Sequence, residues 1–186
     1  MALIRFVTAR DVFNAFPTAQ QDVNAEPSDV ASLEYLQQLA DGGELNKAVS
    51  FCAYLLPRRE AVWWGCQCVK TILPKLPAEE VALLEVAQDW VKLPEEDQRI
   101  AALEQGMRSN PNWPSTWLAL AAGWSGGNIL LGIQATAPAP PEQTARALRG
   151  AILCAVSRRA PMEREKALRG CIADAVRLIT EAQEQH

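Results

Sequence analysis

The stretch that decides how this chain is read is Leu55-Leu56-Pro57-Arg58-Arg59-Glu60-Ala61-Val62-Trp63-Trp64-Gly65-Cys66-Gln67-Cys68. Proline lacks a backbone N–H, and at the first position of a helix that donor would go unpaired anyway, so Pro57 marks a helix start. From Ala61 to Leu73 the residues are apolar on nearly every side of a helix: Ala61, Val62, Trp63, Trp64, Cys66, Cys68, Val69, Ile72 and Leu73. A helix of that kind is normally surrounded by other elements. The run is too short to span a membrane and is broken by Gln67 and Lys70. It is expected to be the central core helix, with both tryptophans inside. Arg58 and Arg59 fall in its first turn, where the helix dipole disfavours cations. Something is expected to hold them: a carboxylate elsewhere in the fold or a ligand, with a structural ion pair or plain solvation as the simpler account.

Before this helix, Glu44 to Leu56 carries a regular i, i+3, i+4 stripe of Leu45, Ala48, Val49, Cys52, Leu55 and Leu56. A helix from Ser28 to about Ala40 precedes it, with Asp41-Gly42-Gly43 as the stop. Residues 1–27 read as an N-terminal arm packed on the body. Thr8-Ala9-Arg10-Asp11 resembles a capping box and opens a short helix to Ala15, while Thr18 to Pro27 reads as irregular.

After it, Pro77 and Pro94 start two helices whose first turns are acidic, at Glu79/Glu80 and Glu95/Glu96/Asp97. Capping and solvation account for those carboxylates. Leu83, Leu84, Ala87, Trp90 and Val91 form the inward face of the first; Ile100, Leu103 and Met107 are expected inward on the second. A short helix runs from Ser115 to Trp124. Helix-starting prolines at Pro57, Pro77, Pro94 and Pro114 stand 20, 17 and 20 residues apart, so two steps approach the period of helix-pair repeats. Residues 123–141, from Gly123-Trp124-Ser125-Gly126-Gly127 through Pro138, Pro140 and Pro141, read as an irregular loop, long enough to suggest function. Two helices close the chain, Glu142 to Ser157 and Pro161 to near Glu181. Seven arginines between Arg146 and Arg177 make this last third basic: a solvated face or an electrostatic docking surface.

A net charge of −4 argues against a general nucleic-acid binder. No apolar run is long enough for membrane insertion, the N-terminus lacks a signal-peptide plan, and a cytoplasmic location is expected. Cys52, Cys66, Cys68, Cys154 and Cys171 lie on or beside apolar helix faces, and the sole histidine is His186. That composition offers no metal site and no cofactor motif, and leaves Ser-His-Asp or Cys-His catalysis unsupported. Tryptophan and arginine are the residues most enriched in interface hot spots. Trp63, Trp64, Trp90 and Trp117 are expected in the core. Arg58, Arg59, Trp113, Trp124, Ile129, Leu130, Leu131, Arg146 and Arg149 are the candidates for a partner-binding surface.

The run Leu55 to Trp64, with Gly123 to Gly127, a Pro-rich loop and Thr144-Ala145-Arg146-Ala147, resembles an uncharacterised family of small bacterial proteins often encoded beside type VI secretion genes. The resemblance spans roughly residues 30–180. It implies no activity that can be carried over. Its context implies an accessory adaptor or chaperone whose partner is a secretion component, an effector or a toxin.

The expectation is therefore an all-α protein, one domain over 28–186 with about eight helices in antiparallel, repeat-like hairpins. Functionally it is a non-enzymatic binding module linked to type VI secretion. An immunity protein that blocks a cognate toxin is the alternative, and an enzyme with an arginine–carboxylate site at Arg58, Arg59 and Glu60 a third reading.

Overall fold

The computed structural model describes residues 5–130 and 136–184. Among them are ten helices and one two-stranded ribbon, so the chain is all-α. All eight expected body helices are present. The chain forms two compact units, residues 1–57 with 156–186, and residues 58–155.

The first unit holds α1 (Ala9–Ala15), α2 (Ala19–Val23), α3 (Ser32–Asp41), α4 (Leu45–Leu55) and α10 (Pro161–Glu184). The Thr8 capping box forms, with Asp11 N donating to Thr8 Oγ1 and Thr8 N to the Asp11 carboxylate. The arm is tied down: Phe6, Val12, Phe13 and Phe16 are buried, and Ser32 Oγ donates to Phe6 O at 2.8 Å. Helix α3 begins at Ser32, later than Ser28 suggested. Its upstream carbonyls are engaged elsewhere, Ser28 O by Arg10 N and Val30 O by Ala9 N, so residues 28–31 run beside α1. The short α2 was not expected from its polar sequence. Helix α4 is enclosed, buried from Ala48 through Leu55, and packs on α2, α3 and α10. Phe51 stacks with Phe13 and Tyr35, and Tyr54 with Phe16.

The second unit holds α5 (Arg58–Ile72), α6 (Ala78–Lys92), α7 (Glu96–Arg108), α8 (Pro114–Gly123), strands β1 (Asn128–Leu130) and β2 (Thr136–Pro138), and most of α9 (Gln143–Ser157). Helix α8 is buried on nearly every side; only Trp117 among its residues is half-buried. It packs on α5, α6 and α7. Its contact with α7 is reciprocal: Gly123 lies against Leu103 and Gly106 against Leu120. Those pairs run in opposite chain directions, so the two helices are antiparallel. The ribbon corrects the reading of 123–141 as wholly irregular. Asn128 pairs with Pro138 and Leu130 with Thr136, and Pro138 stands at a strand end, where its missing donor is tolerated.

Side-chain placement differs from expectation at several positions. Trp64 and Trp90 are buried, at 0% and 6% exposure, but Trp63 is 39% exposed. Adjacent residues on a helix point about 100° apart, and α5 buries Ala61, Val62, Trp64, Gly65, Cys66, Cys68, Val69 and Ile72, leaving the Trp63 side open. On α7 the inward face is Arg99, Ala102, Leu103 and Gly106, while Ile100 and Met107 face out. On α6 Glu80 is buried, although Glu79 is exposed as expected. Four cysteines are buried and Cys154 is half-buried, its Sγ donating to Asn112 O; all five are free. Burial pushes the Cys66 thiol up to about 12 and Cys52 further, which keeps both as unreactive thiols.

Trp63→Ala is expected to cost about 1–2 kcal/mol, because part of the indole is already in water. A denaturant titration of the variant checks this.

Candidate functional site

The two motifs of the sequence meet. Gly123, the last residue of α8, opens a turn through Trp124, Ser125 and Gly126 to Gly127, and alternate carbonyls of that turn each receive a donor. Arg99 Nη1 donates to Gly123 O at 2.7 Å, Arg58 Nη1 to Ser125 O at 2.7 Å, and Ala139 N to Gly127 O at 3.0 Å. The guanidinium of Arg99 is the centre of this latch. Its Nε and Nη2 grip both oxygens of Glu96 at 2.7 and 2.6 Å, a bidentate pair, and its side chain is 7% exposed. Gly127 sits directly on it: its φ is +60°, and a Cβ there would lie 2.6 Å from Arg99 Nη2. The residue must be glycine both for its backbone conformation and for space.

Arg59 serves a different helix. Its Nε donates to Val91 O at 2.7 Å and its Nη2 reaches Lys92 O, so a cation sits on the negative end of α6. Such a contact is worth about 0.3–1 kcal/mol. Main-chain carbonyls are thus among the partners of Arg58 and Arg59. The device recurs in the first unit, where Arg164 donates to Ser157 O and Arg159 O at the end of α9, and Arg169 to Ala40 O near the end of α3. Neither α3, α8 nor α9 carries a basic residue in its own last turn. Arginines from other helices supply that charge.

The latch has a pH signature. Hydrogen bonding from Arg99 holds the Glu96 carboxyl below the usual carboxylate range. A carboxyl lowered in the folded state adds stability above its unfolded pKa and loses it as pH falls through the folded value. Melts taken between about pH 5 and pH 2 should therefore show a steeper acid loss in wild type than in Glu96→Gln. The difference is small, because Glu96 is 61% exposed and screened by solvent.

The other candidates do not converge on one groove. Trp113 and Trp124 are both half-buried but cap opposite ends of α8, about 16 Å apart along its axis. Trp117, expected in the core, is half-buried, with Nε1 donating to Pro111 O at 2.8 Å. Arg146 and Arg149 lie on α9; Arg146 is 3.8 Å from Glu142, and the Nε of Arg149 is buried with no hydrogen-bond partner among the described residues. Ile129 and Leu130 belong to β1 by backbone, and their side chains, with the whole of Leu131, lie outside the described residues. The basic C-terminal third is largely self-compensated: Arg159 pairs with Glu163, Arg169 with Glu165, and Arg177 with Asp174.

The open apolar surface lies elsewhere. Of the seven large apolar side chains exposed among the described residues, five belong to the α5–α7 segment: Trp63, Val81, Leu93, Ile100 and Met107. They are the large apolar side chains that the second unit leaves open to solvent among the described residues. Arg59 ties one end of the segment together. Trp63 follows Arg59 by one helical turn on α5, and Leu93 follows the carbonyls that Arg59 holds. The Arg59 guanidinium is thus anchored on the end of α6, with exposed Leu93 next in the chain and exposed Trp63 one turn along α5. The exposure of Trp63 was the signal sequence reading missed, since apolarity alone does not reveal which of two neighbouring indoles faces out.

Among the described residues no helix is long and apolar enough to cross a membrane, and no group of three or more His, Cys, Asp or Glu side chains is placed to hold a metal ion. No curated protein and no solved structure matches the chain. A family model matches residues 35–179, which include both motifs of the latch, and the chain belongs to that family, described as a family of unknown function (DUF6931).

Proposed function

We propose that this protein is a protein-binding module that receives its partner on the outer side of α5–α7, and that it acts in the cytoplasm as an adaptor or chaperone accessory to type VI secretion. The observation that carries the binding role is Trp63, 39% exposed beside a fully buried Trp64. Water contact of so large an apolar ring costs free energy that a partner recovers, and tryptophan beside arginine is the composition of an interface hot spot. Arg59 is fixed on two carbonyls, so little of its side-chain entropy remains to be lost on binding. The secretion context comes from the resemblance of the two motifs and needs its own test.

Affinity capture from the native host at low salt provides that test, with wild type and the Trp63→Ala/Leu93→Ala double variant as baits. Wild type should recover a secretion component or effector, and the double variant should lose it. Recovery of no such protein by either bait counts against the reading. Capture of a toxin whose lethality is relieved by co-expression points to immunity instead.

A further inference from the structure

We draw no further inference here: the strongest candidate, the polar cleft of about 670 Å³ between α2, α3 and the start of α4, carries nothing, because its carboxylates Glu26 and Glu44 are already held by Gln20 and Lys47, its buried phenol Tyr35 already donates to Glu26 O, and nothing else in the structure points to a ligand there.

Discussion

Trp64→Ala lowers the stability of the chain by about 3–5 kcal/mol, the cost of emptying a large aromatic site that the surroundings refill only in part. Trp64 has no exposed surface, and Ala61, Gly65 and Cys68 beside it on α5 are buried with it. One of them, Gly65, limits how far the site can close. Gly65 is approached by Leu148 and Leu118, whose methyl groups lie 2.6 and 3.2 Å from where a Cβ would stand. That contact already brings α8 and α9 hard against α5, so the helices have little room left to fall inward and the cavity persists. For a chain of this length the melting temperature should drop by about 6–20 °C. Trp63→Ala is the internal control, since it removes the same side chain from the next position of the same helix. If the two variants melt together, the orientation of α5 described here is wrong, and with it the exposed indole on which the binding role depends.

That contrast marks where sequence reading stops. Helix starts were legible because their causes are local: Pro57, Pro77, Pro94, Pro114 and Pro161 each stand at the first helical residue or within two residues before it. The Thr8 capping box was legible for the same reason. Which side of a helix is covered depends on neighbours from other parts of the chain. Arg99 shows this most sharply, because on α7 a guanidinium is buried while Ile100 and Met107 face out. Its burial is tolerated because every strong acceptor it needs, the Glu96 carboxylate and Gly123 O, is in place. Nothing in the spacing Glu96–Arg99 distinguishes it from an ordinary surface pair. The candidate site divides in the same way. The two motifs were recognisable as unusual, and the structure joins them through the hydrogen bond from Arg58 Nη1 to Ser125 O. The exposed surface of α5–α7 takes Arg59 and Trp63 from the first motif, but which side of that motif is open is decided by what fails to cover it.

The glycines of the α7–α8 crossing allow the second large effect to be argued from distances. A Cβ on Gly123 would lie 2.6 Å from Leu103 Cα, 2.7 Å from its Cβ and 2.8 Å from its backbone N. Such separations are far inside van der Waals contact, and two of the three atoms are main chain of α7, so no rotamer change relieves them. Gly123→Ala must push α7 and α8 apart. Overpacking of this kind costs about 1–3 kcal/mol and sometimes more, and here it also disturbs the acceptor that Arg99 holds, since Gly123 O is its target. Gly123→Ala should therefore cost at least about 3 kcal/mol, more than the usual overpacking range. The mirror substitution gives the comparison. A Cβ on Gly106 would meet Leu120 Cδ2 at 2.8 Å, its Cγ at 2.9 Å and its N at 3.1 Å, and the two closest atoms belong to a side chain that can be shortened. Adding Leu120→Ala should recover part of the loss in Gly106→Ala, whereas adding Leu103→Ala to Gly123→Ala should recover nothing and deepen it. A double-mutant cycle by chemical denaturation measures both couplings, and contacting pairs are where such cycles depart from additivity. Equal recovery at the two positions would mean that α7 and α8 do not cross on their main chains at Gly123, and the latch formed by Arg99 and the 123–127 turn would lose the close approach that positions it.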